Sequence, residues 1–195
     1  MAANLLVGRF VLLITGILSI TGGCVSTGLS SQLRLLDLSG QSVDPLQSIN
    51  AKAVVVLFIR TDCPISNRYA PEVRRLYEKF SASDVAFWLV YPDPDESVEM
   101  IRQHIKEYEY HLGALRDPSH ALVKLAGVRV TPEAAVFVSG RMVYRGRIDN
   151  RFVAFGRARP APTTHDLERV LEAILKGKTV ANETTTAIGC FIPDL

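Results

Sequence analysis

Residues 53–80 read AVVVLFIRTDCPISNRYAPEVRRLYEKF. The run from Ala53 to Ile59 is continuously apolar and rich in valine, the pattern of a central strand covered on both faces. Its β-branched content and short length argue against a helix. From Ile65 onward the apolar positions change period. Tyr69, Val73, Leu76 and Phe80 recur at three- and four-residue spacing and predict one buried helical face. Pro64 suits the first turn of that helix, where no amide partner is lost, and Pro71 within it predicts a kink. Cys63 therefore stands where a strand hands over to a helix. A sulfur at a helix N-cap faces unpaired amides and the positive end of the helix dipole, and both favour the thiolate, the attacking species. Arg60 adds positive potential and Asp62 opposes it. The competing reading is a structural cysteine, which has no reason to occupy such a corner.

Working outward, LRLLDLSGQSVDPLQSI before the strand has apolar runs around Ser39-Gly40 and predicts a small hairpin. After the helix come a buried strand (DVAFWLVYPD), a helix capped by Ser97 with Val98, Ile101, Ile105 and Tyr108 on one face, and a short strand (GALRD). DPSHALVKLAG predicts a short helix with Asp117 as cap, Pro118 in the first turn and Gly127 after its end. EAAVFVSGRMVYRGRID predicts two strands joined at Ser139-Gly140. The segment from Asn150 to Pro162 is rich in Arg and Pro without periodicity, and a last amphipathic helix ends at Gly177. This order predicts an α/β domain over 33–177, a mixed central sheet with helices on both faces and the late hairpin as its antiparallel edge. A tail over 178–195 carries Cys190.

The chain has 195 residues, room for one domain with a real core plus extensions. A formal charge of +2 gives no electrostatic case for nucleic acid. At the start, Arg9 precedes an apolar run from Phe10 to Ile20 and then small residues up to Cys24. The run is short for a bilayer span and has the proportions of a secretory signal. Residues 1–24 also resemble a bacterial lipoprotein signal in which Cys24 is lipidated, although Thr21 stands where that motif prefers leucine. A cleaved signal or an uncleaved anchor are the alternatives. All three place the protein outside the cytoplasm, secreted or anchored on the periplasmic side through its N-terminus, with residues 25–32 as a tether. Thiols oxidise there. Of three cysteines, Cys63 and Cys190 are left as a candidate pair if Cys24 carries lipid, and two unrelated buried cysteines are the alternative.

The strand-Cys63-Pro64-helix junction, Pro71 inside the helix, and Thr131-Pro132 in GVRVTP together resemble the thioredoxin superfamily, in its redoxin and alkyl hydroperoxide reductase-like (AhpC/TSA) branch, over Leu33 to about Gly177. CPISN, VYRGRID and the closing GCFI are similar to exported redoxin-domain proteins. The resemblance implies a thioredoxin-like three-layer sandwich, a cis bond before Pro132 facing the active cysteine, and a substrate groove shaped by Thr131, Pro132, Pro64 and Ser66. It also offers precedent for Cys190 as a resolving thiol, since peroxiredoxins often resolve from a C-terminal tail.

The departures restrict the chemistry. Ser66 replaces the second cysteine of thioredoxin-type enzymes, which excludes a disulfide within the motif. Arg60 and Val56 replace the threonine and proline that precede a peroxiredoxin's attacking cysteine, which argues against efficient peroxide reduction. Asn67 replaces the second cysteine of copper-delivery relatives, and His104, His111, His120 and His165 lack metal-ligand spacing and read as solvated or capping residues. No cofactor or metal is expected. The leading expectation is an exported thiol-disulfide oxidoreductase with Cys63 as nucleophile, a protein or small-molecule disulfide as substrate and an external thiol as reductant. A thiol peroxidase acting on peroxide is the alternative enzyme, and a non-catalytic thioredoxin-like docking module the alternative of another class.

Overall fold

The computed structural model describes Met1 and residues 33–48 and 50–193. The expected signal, lipidation site Cys24 and tether lie outside them, save for Met1.

The apolar run becomes strand β3 (Ala53–Phe58), all six residues buried. Its residues alternate between two cores, as successive side chains on a strand must: Val55 and Leu57 face one, and Val54, Val56 and Phe58 the other. A strand so covered needs partners on both sides for its backbone groups. Strand β4 (Val85–Tyr91) pairs with it in parallel, Val55 opposite Phe87. Strand β7 (Glu133–Val138) pairs antiparallel on the other side, Val55 opposite Val136. The remaining members are β1 (Leu35–Asp37), β2 (Ser42–Val43), β5 (Gly113–Arg116), β8 (Arg141–Gly146) and β11 (Glu183–Thr184), giving the order β11-β8-β7-β3-β4-β5-β1-β2. The predicted first hairpin is β1–β2, docked on β5 with Leu36 opposite Arg116.

Helices cover both faces. On one, α1 (Pro64–Phe80) contributes Val73 and Leu76, α2 (Val98–Glu107) Ile101, and α4 (Asp166–Leu175) Leu167, Val170 and Leu171. On the other, α3 (Ala121–Ala126) buries Leu122, Val123 and Ala126. The buried face of α1 includes the predicted Tyr69, Val73, Leu76 and Phe80, and the helix runs through Pro71. Ser97 caps α2, accepting from the Met100 amide at 3.1 Å.

Four features differ from the sequence expectation. The late hairpin is not the sheet edge, because β11 from the tail adds in parallel to β8, Glu183 opposite Tyr144. The Arg- and Pro-rich segment holds a second hairpin, β9 (Phe152–Ala154) and β10 (Arg157–Ala158), with Phe152 packed 5.4 Å from the Tyr69 ring. Its signal is faint because one aromatic anchor, rather than a periodic pattern, holds it. Helix α3 begins after Pro118. Asp117 still serves its N-terminus from outside, accepting from the amides of Ala121, Leu122 and Val123 at 2.7, 2.9 and 3.0 Å. Finally, the tail ends in β12 (Cys190–Phe191), paired antiparallel with β6 (Val130–Thr131).

Candidate functional site

Cys63 is the N-cap of α1, with extended backbone (φ −82°, ψ 109°) and Pro64 at the first position of the helix. Its Sγ accepts from the Ser66 amide at 3.5 Å, one of the donors that a helix start leaves unpaired. It also lies 3.0 Å from the Thr131 carbonyl oxygen, to which the thiol donates. The Thr131–Pro132 bond is cis, and the turn faces the sulfur as the resemblance implied.

Cys190 lies in β12 directly opposite Thr131 in the register, which brings it to the same sulfur. Burial pushes the Cys63 thiol up. The Cys190 thiol, the Ser66 hydroxyl and the amides of Ser66 and Cys190 more than offset this, leaving Cys63 below the ordinary thiol range. Burial acts on Cys190 first, and its hydrogen bond to Cys63 and the charge there add to it, so that Cys190 is pushed up to about 12. Of the two thiols, Cys63 is thus the one that ionises first. Ser66 and Thr131 are completely buried, and Thr131 Oγ1 has no hydrogen-bond partner among the described residues.

Access is unequal. Cys63 is only 1% exposed and belongs to the main core cluster, whereas Cys190 is half-buried. The cover is the tail, and it is firmly attached. Ile192 is buried in the second core and its amide donates to Arg129 O at 3.2 Å; burying such a side chain contributes about 1.5–3 kcal/mol. Upstream, the Thr185 amide donates to Arg145 O at 3.0 Å, and Thr185 Oγ1 lies 2.8 Å from Tyr144 Oη. Gly189 passes so close to Thr131 that a Cβ there would lie 2.2 Å from the Thr131 carbonyl oxygen.

Arg60 has a role other than the expected one. Asp62 and Asp93 each take a 2.9 Å ion pair with its Nη2, and its Nη1 donates to Phe191 O at 3.1 Å. The guanidinium is neutralised and latches the tail instead of charging Cys63.

A buried network under the first turn of α1 was missed from sequence. Asn67 Nδ2 donates to Thr61 O at 3.0 Å, His104 Nε2 donates to Asn67 Oδ1 at 2.9 Å, and Tyr91 Oη donates to His104 Nδ1 at 2.9 Å. His104 is neither solvated nor a cap: it is 3% exposed inside a ring of Tyr91, Tyr108 and Tyr110. His120 is also buried, its Nε2 2.9 Å from Pro92 O. The only available signal for His104 was its place three residues after Ile101, on the buried side of α2.

Burial lowers the His104 pKa from 6.5 to about 4. Between those values the unfolded chain binds the proton and the folded protein does not, so stability falls with pH across that window. The loss expected from this group is about 2–4 kcal/mol. Urea unfolding of the wild type and a His104→Gln variant at pH 6.5 and 4 checks it, the variant being less stable at the start and losing less on acidification.

Among the described residues, Glu72, Asp149 and His165 place three ligand-type atoms within 4.8 Å of one another, a group that includes neither cysteine. Glu72 is engaged by Arg75 at 2.7 and 2.9 Å, and Asp149 accepts from Tyr69 Oη at 2.6 Å.

A central mixed sheet, helices on both faces and a capping cysteine against a cis-proline turn define a thioredoxin-like fold. Residues 31–146 match the AhpC/TSA family, and the chain belongs to that family. It is similar to a hypothetical protein of Sinorhizobium meliloti at 26% identity and TM-score 0.69, over 82% of this chain and 89% of that one. A similar likeness, 24% identity and TM-score 0.71 over 84% and 90% of the two chains, holds to an uncharacterized conserved protein of Geobacillus kaustophilus. A secreted disulfide oxidoreductase of Mycobacterium tuberculosis shares the fold at 18% identity and TM-score 0.51, over 75% and 96%. Comparison with the curated proteins found no match.

Proposed function

We propose that the protein is an exported, membrane-tethered thiol-disulfide oxidoreductase whose redox unit is Cys63 and Cys190. The observation that carries this reading is a half-buried thiol, Cys190, set by strand register opposite Thr131, whose carbonyl oxygen lies 3.0 Å from the sulfur of a second thiol at a helix start. Two thiols so held are poised to lose two electrons and two protons as their sulfurs join, while a substrate disulfide becomes two thiols; an external thiol resets the pair. Thr131, Pro132, Pro64 and Ser66 pack around Cys63, and of these only Pro64 is exposed. The charged start and short apolar run of residues 1–24 support export, with lipid on Cys24 as the tether. No helix among the described residues is long and apolar enough to cross a membrane. The secreted oxidoreductase of similar fold is consistent with such a task.

The test uses the full chain treated with diamide. The intact mass is expected to fall by two hydrogens, with the Cys63 and Cys190 peptides joined on non-reducing mapping, and the same spectrum reports any lipid on Cys24. Free thiols at both positions after oxidation would overturn the reading. The AhpC/TSA match keeps a thiol peroxidase as the second reading. Arg60, tied to two aspartates in the place of the family's threonine, and the burial of Cys63 stand against it. Peroxide consumption by the reduced chain no faster than by free cysteine removes it.

A further inference from the structure

We infer that external thiols and disulfides exchange with this protein at the sulfur of Cys190, and that Cys63 acts only inside the pair, as leaving group and internal nucleophile. This rests on the Cys63–Cys190 redox unit proposed above and assigns the order of events within it.

Thiol-disulfide exchange is a displacement at sulfur, with the attacking and leaving sulfurs in line through the sulfur attacked. For a disulfide between these residues, attack on Cys63 Sγ must come from the side opposite Cys190. That side is closed: Cys63 is 1% exposed, caps α1 from within the main core and touches the Thr131 carbonyl. Attack on Cys190 Sγ must come from the side opposite Cys63. A cavity of about 560 Å³ opens beside Cys190, walled by Val130, Phe155, Ala187, Ile188 and Phe191. Its two aromatic walls, Phe155 and Phe191, are 68% and 81% exposed, so an incoming group meets no buried barrier. The strand that carries Cys190 is also the strand that hides Cys63, and Ile192, Gly189 and Arg60 hold it in place.

Reduction then runs in two balanced steps. An external thiolate attacks Cys190 Sγ, forms a bond to it and breaks the Cys63–Cys190 bond, with the electron pair left on Cys63 as thiolate. The amide of Ser66 receives that charge. A second external thiolate attacks the outer sulfur of the mixed disulfide. An external disulfide departs, carrying the two electrons' worth of oxidation, and Cys190 leaves as thiolate to take a proton from solvent. In reverse, Cys190 gives its proton to solvent and attacks the external disulfide, expelling one thiolate, and the Cys63 thiolate then attacks Cys190 Sγ and expels the second. Cys63 never leaves the interior.

The experiment takes the diamide-oxidised full chain, adds excess glutathione, quenches at early times with acid and N-ethylmaleimide, and maps adducts by mass spectrometry. Glutathione is expected on the Cys190 peptide and N-ethylmaleimide on Cys63, the Cys190 adduct exceeding any Cys63 adduct by at least about tenfold. Glutathione chiefly on Cys63 overturns the assignment while leaving the redox pair standing. A disulfide that glutathione does not reduce at all also overturns it, since no open sulfur would then exist. Absence of the disulfide before glutathione is added sinks the functional reading itself, and this assignment with it.

Discussion

Disulfide turnover by the Cys63→Ser variant is expected to fall to the level of buffer alone, with the melting temperature nearly unchanged. The two halves of this result have separate causes. A hydroxyl forms neither a thiolate at neutral pH nor a disulfide, so both redox states of the proposed pair vanish together. The helix, however, loses nothing at its start. Serine is among the preferred N-cap residues, and its oxygen accepts from the amide that now reaches the sulfur at 3.5 Å. Stability is therefore expected within about 1 kcal/mol of the wild type. Thermal unfolding and a thiol-driven protein-disulfide reduction assay, run on the same preparation, check it. Full activity retained by this variant would remove Cys63 from the chemistry.

The second large effect is expected from Gly189→Ala, a change of one methyl group beside Cys190. The added carbon would lie 2.2 Å from the Thr131 oxygen and 2.6 Å from its carbonyl carbon, both backbone atoms that cannot swing aside. The strand β12 has to lift, taking Cys190 away from Cys63 and straining the Ile192 and Arg60 contacts. The cost is about 1–3 kcal/mol. Placed on the local opening of the tail, it raises the exposed population of Cys63 by roughly 5- to 150-fold. Two readouts follow it: faster alkylation of Cys63 by iodoacetamide, and a smaller disulfide-linked fraction after diamide treatment. Unchanged alkylation of Cys63 in this variant would mean that the tail is not its cover.

In the proposed redox pair, the tail supplies the thiol that the missing thioredoxin-type second cysteine would have supplied. Ser66 sits where that cysteine would be and serves as a donor at the sulfur. The partner arrives across the fold instead, on a strand held beside the cis-proline turn. Arg60 follows the same logic. By sequence it is a charge near Cys63, and in three dimensions it is a clasp on Phe191 whose charge is spent on Asp62 and Asp93.

What could be read directly from the sequence was local. The buried strand at Ala53, the helix start at Cys63-Pro64, the apolar face of α1 and the Ser97 cap follow from periodicity and from capping chemistry acting within a few residues. The mixed sheet followed from the order of those elements. Only the tertiary structure decided that Cys190 meets Cys63, that β11 closes the sheet edge, and that His104 is buried under α1. A short tail strand has too few residues to carry a pattern of its own. Its place depends on which edges the finished sheet leaves unpaired and on whether Gly189 can approach Thr131, and both are properties of distant backbone that no nearby residue encodes.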